Sequence, residues 1–253
     1  MTANKGSYRL ATLMLLTTAA TASLNALAGP VSVDVREGSI VNADTSYLEL
    51  PLLQPNGSIQ YQAVDVYVGS FNINVATSAA DPWITELAFC TDPWNWSGSG
   101  TMPYLAQSLG TLTSASTGNT FDLTQLISNQ AKIESLYSNY YQGTLGNTAN
   151  SAAFQIALWE IVSDNTVETV PNSNMSIFDA GQAIVQNLEK SNYAMGSQQY
   201  NLTVYTVDRT QPGYGTLGQN YIDPTPIPEP ASILLLGAGL IGLGFFRNRK
   251  TSA

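Results

Sequence analysis

Histidine is absent from all 253 residues. That absence removes the commonest general base, the usual partner of a nucleophile in a triad and the commonest zinc ligand, and most hydrolase mechanisms go with them. Cysteine occurs once, at Cys90, so the chain cannot form an internal disulfide. Basic residues are scarce and badly distributed: of nine, Lys5, Arg9, Arg247, Arg249 and Lys250 sit at the two ends. Between Gly29 and Pro230 only Arg36, Lys132, Lys190 and Arg209 remain against all eighteen acids, four against eighteen, a net charge of −14. So acidic a body is repelled by nucleic acid phosphates and by anionic lipid, which excludes both as partners. Two carboxylates could still support glycoside hydrolysis, but no pair of Asp and Glu stands out by spacing. The composition indicates no cofactor and no metal, and the chain does not read as an enzyme.

The ends carry addresses. Lys5 and Arg9 precede an apolar run from Leu10 to Ala22, followed by Ala26-Leu27-Ala28, the pattern of a secretory signal peptide with cleavage between Ala28 and Gly29. The run is shorter than the ~20 residues that a bilayer core requires. At the other end Pro228-Glu229-Pro230 is followed by sixteen uncharged residues, Ala231 to Phe246, and then by Arg247-Asn248-Arg249-Lys250. A basic cluster of this kind stays on the cytoplasmic side and leaves the body outside. The tail resembles the PEP-CTERM sorting signal. That resemblance implies an exosortase-type transpeptidase as partner, cleavage near Pro228 to Pro230 and transient anchoring in the inner membrane by the short C-terminal helix. Release to the cell surface or extracellular matrix would follow. The alternative is an anchor that is never cut. The boundaries are then a signal peptide at 1–28, an extracellular body at 29–210, a Pro- and Gly-rich linker at 211–227 and the sorting signal at 228–253.

The body has about two hundred residues, enough for one large or two small closely packed domains. Alternation at Val31, Val33 and Val35 predicts a strand, and Ile59 to Val75 predicts a hairpin turning near Gly69-Ser70. Leu123, Leu126, Ile127, Ile133, Leu136, Tyr137 and Tyr140 recur at helical spacing, with Asp122 and Gln125 as a capping pair. A second helix is predicted from Asn150 or Ser151 to about Val162, and a third from Ser176, with Asp179 completing a capping box. Tyr200 to Val207 returns to strand alternation. Strands, helices and a further strand predict an α+β protein, a β-sandwich or barrel-like framework with an insert of three helices.

Two segments carry the chemistry of interest. Cys90 stands in Leu87-Ala88-Phe89-Cys90-Thr91-Asp92, and a lone cysteine is commonly a buried small hydrophobe. Gln155 stands in Ala152-Ala153-Phe154-Gln155-Ile156-Ala157-Leu158-Trp159, a helix apolar on every side except at this carboxamide. A helix apolar all round is buried, so the carboxamide needs a specific partner, either a backbone group on a neighbouring strand or Cys90 itself. The two segments resemble the signatures of the Cys-Gln thioester domains of Gram-positive surface adhesins. Phe89-Cys90 matches the cysteine motif. Phe154-Gln155-Ile156-Ala157-Leu158-Trp159 matches the glutamine helix, with Phe154 where Thr is frequent, and Gln155 opens its helix sixty-five residues after the cysteine. The resemblance implies a thioester-domain-like fold and an internal thioester between Cys90 and Gln155. Its covalent target would be an amine-bearing surface protein or another nucleophile. Asp92, Glu86 and Glu160 are the candidate assisting carboxylates. Trp83, Trp94 and Trp96, grouped around Asp92 and Asn95, suggest a different class of function. Such a cluster suits sugar stacking by a non-covalent polysaccharide-binding or structural matrix protein, and equally suits ordinary packing.

Overall fold

A strand of twenty-three residues, β1 (Val31–Leu53), opens the described chain. Val33 and Val35 are buried, and so are Ser46, Leu48, Leu50 and Leu52, the alternation that a strand with one covered face requires. The computed structural model describes residues 30–53, 58–78, 80–93, 100–112, 120–164, 167–169, 175–197, 199–208, 210 and 218–227. The signal peptide and the sorting tail lie outside these residues.

The partner of β1 is β2 (Ile59–Ala76), antiparallel from Asp34↔Ala76 to Leu53↔Ile59. The hairpin expected at Gly69-Ser70 is therefore not formed, and β2 runs through both residues without turning. Gly69 has φ +144° and lies beside the register shift of β1 between Val41 and Ala43. A Cβ built there would fall 2.6 Å from the Asn42 carbonyl oxygen and the Ala43 Cα. The glycine marks a bulge where two backbones nearly touch.

Five more strands follow: β3 (Ile84–Cys90), β4 (Thr101–Ser108), the two-residue β5 (Glu168–Thr169), β6 (Tyr200–Val207) and β7 (Tyr221–Pro226). The sheet order is β2-β3-β7-β6-β4-β1, and β1 pairs back onto β2, so six antiparallel strands close on themselves as a barrel, with β5 added to β1. Closure rests on Val31–Arg36, which pairs with β4 along that whole length and, from Asp34 onward, also with β2. β7 corrects the linker expectation, since a strand inside the barrel occupies part of 211–227. Pro224 and Pro226 hid it, because proline reads against a central strand. They are tolerated because β3 pairs with β7 only at Tyr221 and Ile222. Alternation along the strand turns the nitrogens of residues 224 and 226 to the side that β3 has already left.

The helices lie between β4 and β6 in the sequence. Among the described residues the α-helices number four rather than three: α1 (Thr120–Ser128), α2 (Gln130–Tyr140), α3 (Thr148–Ser163) and α4 (Met175–Lys190). The single helix expected over 122–140 is divided at Asn129, whose side-chain amide donates to the Gln125 carbonyl at 3.1 Å beside its own backbone N–H at 3.0 Å. An Asn side chain competes in this way for backbone groups and unsettles a helix. α1 begins two residues ahead of Asp122, and α4 begins at Met175, so neither Asp122 nor Ser176 occupies the expected cap position.

α3 is buried from Ser151 to Ser163. Asn147 caps it by accepting from the Asn150 N–H, and Asp164 ends it in the left-handed conformation. Its Ala152, Ile156 and Trp159 join the barrel core with Leu48, Leu50 and Ala88. Its Phe154, Ala157, Leu158 and Ile161 join a second core with α1, α2, α4 and the outer faces of β6 and β7. α4 approaches closely at Gly181, where a Cβ would stand 2.6 Å from the Ile156 Cγ2. Gly69→Ala introduces a side chain into a strained, filled position and is expected to lower stability by about 2 kcal/mol. The urea midpoint should fall with an unchanged m-value.

Candidate functional site

The site forms where β2 and β3 separate. They pair from Val75↔Ile84 to Phe71↔Ala88 and no further. Thr91 turns its N–H toward β7 and donates to the Asn220 carbonyl at 2.9 Å. Alternation then directs the polar groups of Cys90 the opposite way, to where β2 would have continued. Gln155 fills that place. The Cys90 N–H donates to its Oε1 at 3.1 Å, and its Nε2 donates to the Cys90 carbonyl at 2.7 Å. One side-chain amide thus substitutes for the missing peptide of a neighbouring strand. Four residues earlier on the same helix, the Ser151 hydroxyl accepts from the Ser70 N–H at 3.0 Å. Both alternatives for the partner of Gln155 meet in this arrangement, because the backbone group it binds is that of Cys90. Gln155 lies in mid-helix, eight residues into α3, rather than opening it.

The Cys90 thiol is buried in the barrel core. Its Sγ lies 3.4 Å from the Asp92 carbonyl oxygen and 3.5 Å from the Asp92 Oδ1. Burial pushes its pKa well above the ordinary value, and the Asp92 charge adds to this. The Trp159 indole, one turn beyond Gln155, acts in the opposite direction on the thiol. Its Nε1 is buried and has no hydrogen-bond partner of ordinary geometry. Asp92 is held in turn by Asn220, whose backbone N–H donates to Oδ1 at 2.8 Å and whose Nδ2 donates to Oδ2 at 3.2 Å. The thiol is therefore protonated at neutral pH, with a fixed carboxylate group within reach of its proton.

Of the three candidate carboxylates, Asp92 alone touches Cys90. Glu160 accepts from the Gln182 amide on α4. Glu86 accepts from the Tyr205 hydroxyl. Trp83 carries the Arg36 guanidinium over its ring, 4.4 Å from the centroid, which occupies one of its stacking faces. Trp94 and Trp96 lie outside the described residues. Sequence reasoning missed Ser151, Trp159 and Asn220. The first two stand four residues before and after Gln155 and share its face of the helix, a readable signal. Asn220 was hidden in the stretch taken for a linker.

Cys90, Gln155, Asp92, Trp159 and Asn220 thus bring a thiol, a carboxamide, a carboxyl group and polar support into one dry patch. The Cys90 N–H bonded to Oε1 polarises the Gln155 carbonyl. Nearby, Asp223 has its pKa raised to about 7 by burial, with the Glu86 charge adding to it.

Residues 226–250 match the family model described as the PEP-CTERM protein-sorting motif. The motif implies processing by an exosortase and an exported protein held by a C-terminal membrane anchor until cleavage. No helix among the described residues is long and apolar enough to cross a membrane, and 228–253 lie outside them. No curated protein matches the chain.

Two outcomes are expected. Gln155→Ala leaves the Cys90 N–H and carbonyl buried without partners and should cost about 2 to 4 kcal/mol, measured by chemical denaturation. Asp223 holds its proton in the folded state up to about pH 7, against 3.8 for the ordinary group. The folded state then binds more protons than the unfolded state across that window, so stability falls as the pH rises from about 4 to about 7. Asp223→Asn should flatten that part of the stability profile.

Proposed function

We propose that the protein is an exported surface or matrix adhesin whose Cys90 and Gln155 join in an internal thioester that captures an amine on its target. The observation that carries the reading is the double hydrogen bond between the Gln155 carboxamide and the Cys90 backbone, 3.1 and 2.7 Å, in a dry core. In the forming step Sγ attacks the Gln155 Cδ while the thiol proton passes by way of Asp92 to the departing nitrogen. The S–C bond forms, the C–N bond breaks and ammonia leaves. Holding the two groups together supplies the effective concentration that such an acyl exchange requires. In the capture step a target amine attacks the same carbon, an amide forms and Cys90 leaves as the thiol. Each molecule captures once and does not turn over. The sorting tail supports the setting, since a protein delivered to the cell surface or its matrix gains from a bond that dilution cannot reverse.

A second reading is favoured by the same geometry seen differently. A carboxamide fully satisfied by a backbone peptide is sufficient as a structural pin, and the protein would then be a non-covalent polysaccharide-binding or structural matrix component. The intact mass of the mature body separates the two. A deficit of one ammonia in the parent, absent in Cys90→Ala and Gln155→Ala and reversed by methylamine addition, is the expected outcome. A mass equal to the plain sequence, with a thiol that titrates on unfolding, would leave the matrix reading.

A further inference from the structure

One end of the barrel holds a cavity of about 290 Å³, lined from within by Val33, Val75, Ala106 and Tyr205 of the barrel core. Ile84 pairs with Val75 and Glu86 with Ile73, both core residues, so these two side chains of β3 share the inward face and line the cavity too. Ile84 is 63 % exposed, a large apolar side chain turned toward open space. The Tyr205 hydroxyl donates to the Glu86 Oε2 at 2.5 Å, and Oε1 has no protein donor among the described residues. Burial raises the pKa of this carboxyl group, against the effect of the Tyr205 hydrogen bond. At the exposed rim stands Asp81, whose Oδ2 accepts from the Thr77 and Ser78 hydroxyls at 2.6 and 2.8 Å. Those bonds lower its pKa and keep it ionised. The described lining thus has two carboxylates and no basic residue.

We propose that this end of the barrel is a non-covalent binding site for a small apolar ammonium ion, with its charged head on Glu86 and its hydrocarbon part against Val33, Val75, Ile84 and Ala106. Neither Cys90 nor Gln155 lines the cavity, and the site stands whether or not those two residues join. A carboxylate withdrawn from water is costly until a counter-charge reaches it. Tyr205 satisfies one oxygen with a neutral hydroxyl and leaves the charge uncompensated. An ammonium N–H directed at Oε1 supplies the second donor and the counter-charge together. Asp81 holds a negative potential at the rim and favours the approach of a cation. An anionic ligand is repelled at both positions, and a neutral one leaves the Glu86 charge as it was. The apolar walls then select against small hydrated cations, because only a ligand with a hydrocarbon part gains from covering them. The volume lies at the low end of the ~300–1,000 Å³ range of ligand sites, so the ligand is small, and the mouth of a β-barrel is a usual place for such a site.

The test titrates two probes of similar shape into the mature protein at low ionic strength. N,N-dimethyl-2-phenylethylamine is protonated at neutral pH and, as a tertiary amine, cannot form an amide at a thioester. 2-Phenylethanol carries no charge. Binding is followed by calorimetry and by the NMR shifts of the Ile84 and Ala106 methyl groups. The ammonium is expected to bind about tenfold more tightly than the alcohol and to move those methyl signals. Glu86→Gln, which keeps the size of the side chain, should bring the ammonium down to the affinity of the alcohol and leave the alcohol unchanged. The comparison of the two probes on the parent protein needs no variant, so a poorly folding Glu86→Gln does not remove the test. Equal affinity for the two probes, absence of ammonium binding, or shifts confined to residues outside the cavity would each overturn the proposal. So would undiminished ammonium binding in a folded Glu86→Gln protein.

Discussion

Everything at this site depends on how a barrel accommodates two strands that part before they end. β2 and β3 stop pairing at Phe71↔Ala88, and the polar backbone beyond that point is buried. Unpaired peptide groups in such a place are costly to bury, so something must occupy the gap. α3 does so with two side chains on one face, Ser151 bonding Ser70 and Gln155 bonding Cys90. Those bonds set the depth and rotation of the helix. Its apolar residues then fall into place on both sides, Ile156 and Trp159 toward the barrel and Phe154 and Leu158 toward the helical core. One polar pairing therefore fixes where two hydrophobic cores meet.

The same constraint sets the surroundings of the cysteine. The residue whose backbone the Gln155 amide satisfies is Cys90. The surroundings keep the sulfur protonated and dry, through burial and the neighbouring Asp92. A thiol in that state is a poor resting nucleophile. A thiol ionised at rest would invite oxidation instead.

Much of this was legible in the sequence, and the failures have physical causes. Gln155 was readable because it is the one carboxamide on a helix otherwise apolar around its middle. The strand at Tyr200–Val207 and the helical insert followed directly from hydrophobic period. The hairpin at Gly69 was misplaced because glycine serves both turns and bulges, and only the register with Ala43 distinguishes them. β7 was hidden by Pro224 and Pro226, which are harmless only because β3 has already departed on that side. That fact is tertiary, and no local pattern carries it. Asn220, which holds Asp92, was lost along with the strand it precedes.

β7 ends at Pro226, where the match to the sorting motif begins, so the barrel and the tail share a strand end. While the tail holds the chain at a membrane, any drag on the body is transmitted straight into β7. There it pulls along the strand axis against six paired residues of β6, Tyr200↔Pro226 to Tyr205↔Tyr221. Loading in shear engages those hydrogen bonds together, whereas peeling would break them one at a time. The chain thus meets mechanical force at the strand whose far end flanks Cys90, and the tether and the thiol lie at opposite ends of a single six-residue beam.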